Sequence, residues 1–270
     1  MNTAMWLCET TGRPIPLHEC LECAGHRQVP ACPFPPTVLK ALANSLRGDD
    51  GLLEALALAK RAGVALLRVT SLLGCTRQAW YALGGPGPLE KPSEHWARLR
   101  GTIFHAALES LAGEETVAEA RLIASLEELG ARAWIAGKVD HYDPALRLIT
   151  DYKTLNSFGK KMTALDLPKQ HHVAQIWLYA WLLGKSGYPY PAAGRITYMD
   201  MATVRTVDVL MPDVEMQAAV ESRLVEKARL ITEAGPTGPV GDPPESWHCR
   251  YCSHAGRCPY RITHHLTQAS

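Results

Sequence analysis

The 270-residue sequence lacks an excess of charge of either sign: Lys plus Arg is 28, Asp plus Glu is 27, and the formal net charge is +1. Net charge therefore gives no argument for a nucleic-acid partner and leaves only a local basic groove open. A long apolar run is missing too. The longest, Val173 to Leu183, contains Gln175 and is about half a bilayer span, so no contact with a membrane is expected. Met1 to Pro16 has no basic segment followed by an apolar core, which argues against a secretory signal. A cytoplasmic chain is the resulting expectation. There is no internal repeat and no long low-complexity tract. With 47% hydrophobic and 20% charged residues the composition is that of a folded protein, not a disordered one.

What the sequence does have is cysteine. Cys8, Cys20, Cys23 and Cys32 lie near the start, Cys75 stands by itself, and Cys249, Cys252 and Cys258 lie near the end. In a reducing compartment, clustered thiols serve as metal ligands more often than as disulfides.

Periodicity orders the rest. Thr37–Leu46, Leu52–Ala62, Val69–Leu83 and Ser93–Leu111 read as helices, the last with Trp96, Leu99, Ile103, Ala107 and Leu111 on an apolar stripe. The period then falls towards two, predicting strands over Thr116–Ser125, Ala131–Tyr142 and Leu146–Lys153, with Asp143-Pro144 as a turn. A helix over Asp166–Leu183, a hairpin of Arg195–Met201 with Val204–Leu210, and a helix over Asp213–Ala234 follow. The alternation predicts an α/β fold with a mixed sheet.

Chemistry concentrates in the central strands. Asp151 and Lys153 are two apart and share a strand face, with Asp140 on the preceding strand. Two carboxylates brought together repel unless a divalent cation neutralises them, and Mg2+ or Mn2+ suits oxygen ligands. A lysine beside that cation orients water and stabilises charge on a phosphate. His105 offers an imidazole ligand, and Gln175 and Tyr179 lie one helical turn apart. Taken singly, each has a plainer reading: a solvated Asp–Lys pair, a satisfied core histidine, a packed tyrosine.

Together, His105, Gly137-x-x-Asp140, Asp151-x-Lys153 and Gln175-x-x-x-Tyr179 resemble, in order and spacing, the PD-(D/E)XK nuclease superfamily, and within it the RecB-like branch. The resemblance implies a restriction-endonuclease-like mixed sheet flanked by helices. It implies that His105, Asp140 and Asp151 bind the divalent metal, that Lys153 is catalytic, and that Gln175 and Tyr179 support the site. Cys75 followed much later by Cys249, Cys252 and Cys258 is similar to the layout of the iron–sulfur nucleases of that branch, which include CRISPR-associated exonucleases and AddB-type helicase–nuclease subunits. By that resemblance the four cysteines hold a [4Fe–4S] cluster joining the chain ends. Spacing by itself is equally compatible with zinc.

The N-terminal four, Cys8, Cys20, Cys23 and Cys32, have no counterpart in that family and are read as a Zn2+ module over residues 1–36, ahead of a nuclease domain over 37–270. Basic residues near the motifs are Arg77, Arg98, Arg100, Lys160 and Lys161, with His171 and His172 before Gln175. Of these, Arg77, Arg100, Lys160 and Lys161 are candidate nucleic-acid contacts. The expected function is metal-dependent hydrolysis of DNA, most simply by an exonuclease on single-stranded or end-exposed DNA. The competing reading is an iron–sulfur DNA-binding scaffold that positions DNA for a partner integrase, helicase or nuclease. All the nuclease motif residues are present, which favours the enzyme.

Overall fold

The computed structural model describes residues 5–23, 32–46, 50–84, 91–113, 115–155, 157–158, 167–241, 249, 252 and 254–260. Lys160 and Lys161 fall outside the described residues, as does the start of the helix expected from Asp166. Among the described residues, no helix is long and apolar enough to cross a membrane.

The chain begins with a small hairpin, β1 (Met5–Leu7) with β2 (Pro14–Pro16), and a short helix, α1 (Leu17–Glu22). Two helices follow, α2 (Pro36–Leu46) and α3 (Asp50–Ala62). The main sheet is then built from β3 (Ala65–Arg68), β4 (Val117–Ser125), β5 (Ala133–Asp143), β6 (Leu148–Thr154), β7 (Ala193–Met199) and β8 (Val204–Val209). Helices α4 (Val69–Leu73), α5 (Thr76–Gly84) and α6 (Pro92–Glu109) lie between β3 and β4. Helix α7 (Gln170–Lys185) crosses from β6 to β7, and α8 (Val214–Thr232) follows β8.

The sheet is mixed, with parallel β3–β5 and β6–β7 pairs and antiparallel β4–β5, β5–β6 and β7–β8 pairs. β5 is the strand on which the site depends. One of its edges pairs with β4 from Trp134 to Tyr142. The other pairs with β3 only over Ala133–Ala136 and with β6 only over His141–Asp143. Between those two partners the edge is split over residues 137–140, the segment that carries the expected Gly-x-x-Asp motif.

The principal core lies between the sheet and helices α4, α7 and α8, with Tyr142, Tyr198, Ile135, Ile149, Ile176, Leu182 and Ile196 almost wholly buried. Gly137 lets α7 and α4 close on β5. A Cβ there would come within 2.7 Å of Leu182, 2.8 Å of Tyr179 and 3.0 Å of Val69. A second core joins Trp6 and Cys20 to Leu39, Leu42 and Ala43 of α2 and to Leu99 of α6. The N-terminal segment is therefore seated on two of the helices that follow it.

Two expectations about helices are corrected. The apolar run Val69–Leu83 forms two helices, because Gly74 turns extended after α4 and the Cys75 carbonyl accepts the Ala79 amide to start α5. β3, immediately before it, was not anticipated. On α6 the expected stripe is largely not the buried face: Trp96, Ile103 and Leu111 are exposed, and only Leu99 among the large residues is buried. The inward side of α6 is given instead to His95, against Trp6, and to His105.

Candidate metal centre

The split in β5 brings the motif residues together. Where the β5–β6 ladder stops, Asp140 replaces a backbone acceptor with its side chain: the Tyr152 amide donates to its Oδ2 at 2.8 Å. This fixes one carboxylate oxygen and leaves Oδ1 3.4 Å from Nδ1 of His105. The same Nδ1 is 2.8 Å from Oε1 of Glu119, and Nε2 is 3.2 Å from the Tyr152 carbonyl. Both ring nitrogens donate only if His105 is an imidazolium. Burial opposes that charge, but the Asp140 and Glu119 carboxylates outweigh it and raise the His105 pKa to about 10.

Glu119 is a site residue that the sequence motifs did not indicate. It lies on β4 between the pairs Ala118–His141 and Ala120–Val139, and its φ is 49°. A non-glycine residue in that region stores about 1–3 kcal/mol of strain, which the surroundings must sustain. Here they do: its carboxylate is held by His105 on one side and by Lys138 at 2.5 Å on the other. His105, Glu119 and Asp140 each place a ligand atom within 4.8 Å of the others. The signal available in the sequence was the one carboxylate of a mainly apolar strand, Val117–Ala124, in which Arg121 is the other charged residue.

Asp151 lies deeper, at 1% exposure. Neither of its oxygens accepts a hydrogen bond of acceptable geometry, although Lys153 Nζ approaches Oδ2 to 2.5 Å. Burial pushes its pKa well above the usual carboxylate range, Lys153 opposes that, and Asp140 adds to it. The ligand atoms that lie within 4.8 Å of one another are those of His105, Glu119 and Asp140, a mixed oxygen and nitrogen set that a hard divalent cation fits; Asp151 lies within electrostatic reach of Asp140 and His105. Gln175 and Tyr179 are brought together as expected: the buried Gln175 amide donates to the Tyr179 hydroxyl at 2.9 Å. Asp140 and Asp151, after burial itself, raise the Tyr179 pKa, so its hydroxyl remains protonated at neutral pH.

A cleft of about 570 Å³ opens beside His105, lined by Arg68, Arg98, Arg121 and Lys138 among others. Burial and the like charges of Arg98 and Arg121 lower the Arg68 pKa, the mark of a cationic cluster. Arg68 and Arg121 were missed in the sequence, since strand positions far apart in the chain carry them. His172 takes no charge here. Burial and the neighbouring Lys153 hold its pKa down to about 2, and its Nδ1 is 2.8 Å from the Tyr198 hydroxyl.

Arg77, a candidate nucleic-acid contact, is corrected. It is 6% exposed, donates to the Pro239 carbonyl at 2.7 Å, and lies over the rings of Trp80, Tyr81 and Tyr260. A guanidinium committed in this way binds the C-terminal segment to α5 and has no face left for a phosphate. Arg100, on α6, is half-buried.

Cys75 occupies the turn between α4 and α5, where Lys227 of α8 donates to the Gly74 carbonyl at 2.6 Å. Burial raises the Cys252 pKa, the His254 amide opposes this, and the thiols of Cys75, Cys258 and Cys249 raise it further, so all four lie within electrostatic reach. None of the eight cysteines forms a disulfide. The thiols of Cys75, Cys249, Cys252 and Cys258 are all half-buried.

Residues 128–259 match the PD-(D/E)XK nuclease superfamily. No curated protein matches the sequence. Among solved structures, the crystal structure of SSO0001 is 21% identical, with a TM-score of 0.55, covering 83% of this chain and 94% of that one. A phage-related exonuclease from Haemophilus somnus 129PT is 14% identical, with a TM-score of 0.43, covering 62% of this chain and 93% of that one. The first of these shows a shared fold.

Proposed function

We propose that this chain is a metal-dependent DNA nuclease of the RecB-like kind. The observation that carries the reading is Asp151, a buried carboxylate under-supplied with hydrogen bonds, beside Lys153 and within reach of Asp140 and His105. The superfamily match over residues 128–259 supports the same reaction class.

Asp140 and Asp151 would hold Mg2+ or Mn2+, with Glu119 and, once its imidazolium has given up a proton, His105 completing the donor set. When bound, the cation supplies Lewis-acid stabilisation of the phosphate and lowers the pKa of water. The protein's own residues do the rest. Lys153 is placed by its pairing with Asp151 to orient the attacking water and to balance charge developing on the phosphodiester. The Asp140–Tyr152 hydrogen bond fixes the first carboxylate, and the Gln175–Tyr179 pair packs behind Gly137 to fix the strand. Arg68, Arg98, Arg121 and Lys138 supply a local path for phosphates that the balanced net charge conceals.

The resemblance to the RecB-like branch favours an exonuclease on single-stranded or end-exposed DNA, and we place it in the cytoplasm beside an integrase or helicase complex. Cys75, Cys249, Cys252 and Cys258 hold a [4Fe–4S] cluster that binds the C-terminal loop to α5. Cys8, Cys20, Cys23 and Cys32 form a separate Zn2+ module.

The test is cleavage of end-labelled single- and double-stranded DNA by anaerobically purified protein with Mn2+. Lys153→Ala and Asp151→Ala are each expected to lower the rate by ~100-fold or more while retaining fold and iron. Cleavage at the parental rate by either variant overturns the assignment.

A further inference from the structure

The face of α7 that meets the sheet carries a histidine to which the chemistry above gives no part. His172 precedes Gln175 by three residues and Tyr179 by seven, so the three side chains share one helical face. Across from that face, Lys153 of β6 and Tyr198 of β7 are register partners on parallel strands and share one side of the sheet. The Tyr198 hydroxyl is 2.8 Å from His172 Nδ1, and the two rings lie 5.5 Å apart. His172 is thereby tied to the strand neighbour of the proposed catalytic lysine.

The Tyr198 proton decides which imidazole nitrogen is left over. The Lys169 amide donates to the Tyr198 oxygen at 3.2 Å. An amide N–H can only donate, so among the described residues Nδ1 is the acceptor available to the hydroxyl's own proton. Tyr198 is wholly buried, which makes an unbonded hydroxyl proton costly. The hydroxyl therefore donates to Nδ1, and the proton of a neutral imidazole sits on Nε2. The neutral form has a local cause: burial first, then the positive charge of Lys153, then His171 and Lys169, all oppose an imidazolium. His172 is half-buried, and its Nε2–H makes no hydrogen bond among the described residues.

We propose that His172, fixed by Tyr198 as its Nε2–H tautomer, donates a hydrogen bond to a non-bridging oxygen of the phosphodiester held beside Lys153. The assignment rests on the nuclease reading given above.

A neutral donor does something that a second cation could not do here. Lys153 is paired with the Asp151 carboxylate, and another full charge beside it would repel Lys153 and compete for Asp151. A neutral N–H adds no such repulsion, yet it still stabilises the negative charge that grows on the phosphate as water attacks. The hydrogen bond strengthens as that charge grows, so its contribution falls on the rate more than on binding. No proton is transferred: Nε2 keeps its proton throughout. The buried bond to Tyr198 holds the imidazole in one tautomer and one orientation, so the donor is in place before the substrate arrives.

The experiment compares cleavage of an end-labelled oligonucleotide with Mn2+ by the full parental chain, His172→Gln, His172→Asn and Lys153→Ala. A glutamine amide reaches the place of Nε2 and keeps a donor there. An asparagine amide reaches only the place of Nδ1 and keeps the partner of Tyr198. His172→Asn is expected to lower kcat by ~100-fold with KM changed by less than about threefold, and His172→Gln to lie at least ~10-fold above it. A parental kcat in His172→Asn, or a kcat for His172→Gln no higher than for His172→Asn, overturns the donor role. Should either variant not fold, nitrogen-15 NMR of the parental chain reads the tautomer without substitution. A proton on Nε2 of His172 from about pH 5.5 to about 8, with a resonance that shifts when the oligonucleotide binds in Ca2+, supports the assignment. A proton on Nδ1, or an Nε2 resonance that does not move, overturns it. Lys153→Ala cleaving at the parental rate, or a parental chain that cleaves nothing, overturns the nuclease reading itself. Lys153-dependent cleavage that His172→Asn leaves untouched overturns the present assignment and leaves that reading standing.

Discussion

The carboxylate of Asp140 takes the place of a backbone carbonyl for the amide of Tyr152, at 2.8 Å, where β5 and β6 part. One side chain thus serves both the ladder and the proposed metal site, and substitutions separate the two roles. Asp140→Asn keeps an oxygen able to accept from Tyr152 and is expected to retain stability while losing cleavage. Asp140→Ala is expected to lose cleavage and also about 1–3 kcal/mol, the cost of an amide left without its acceptor. Urea unfolding and the DNA assay on both variants check this; equal stability of the two would remove the ladder role.

Gly137 is expected to tolerate no side chain. Alanine there meets Leu182, Tyr179 and Val69 at 2.7–3.0 Å, inside normal contact. About 1–3 kcal/mol of destabilisation is expected. Cleavage should fall as well, because Asp140 follows three residues later on the same strand. Thermal unfolding reads the first effect and the assay the second.

Tyr179→Phe removes the acceptor for the buried Gln175 amide. Leaving that donor unsatisfied is expected to cost about 1–3 kcal/mol. Gln175→Leu in the same background removes the orphaned donor and should recover part of the loss. A double-mutant cycle measures the coupling between them, and additive effects would show that the pair does not act as a unit.

Arg77→Ala is expected to loosen the C-terminal segment from α5, since it deletes the bond to the Pro239 carbonyl and the contacts over Trp80, Tyr81 and Tyr260. If Cys75, Cys249, Cys252 and Cys258 hold the proposed cluster, the expected result is a lower iron content after purification in air, with the DNA affinity of the iron-loaded fraction unchanged. Weakened DNA affinity with full iron content would instead return Arg77 to the groove.

Asp200 gives a pH dependence of definite sign. Amides of Ala202, Phe158 and Thr203 donate to its carboxylate and hold its pKa down to about 2, against an ordinary value of 3.8. A depressed folded value means that its contribution to stability is complete above about pH 4 and fades as pH falls through about 2. Asp200→Asn should therefore be less stable than the parent at pH 7 and converge with it towards pH 2. A stability difference that stays constant over that range would contradict this.

The legible part of the site was the part that local periodicity controls. Asp151 and Lys153 share a strand face and Gln175 and Tyr179 a helix face because those repeats are fixed by backbone geometry. Their companions depended on long-range features. Glu119 joins the site only through a left-handed residue inside a strand, and Arg68 only through a strand that sequence periodicity did not separate from the apolar helix after it. Arg77 read as a groove cation because nothing local announces three aromatic rings and a carbonyl from residues far along the chain. The α6 stripe misled for a related reason. Its inward side was given to two histidines beside Leu99, so most of the apolar stripe marked the outer one.

The turn holding Cys75 precedes most of the sheet in the sequence, whereas Cys249, Cys252 and Cys258 follow all of it. A growing chain therefore presents one thiol early and must wait for the other three until every strand has left the ribosome. Any cluster built on that set reports completion: a truncated or stalled product could fold much of its sheet yet never assemble the full donor set.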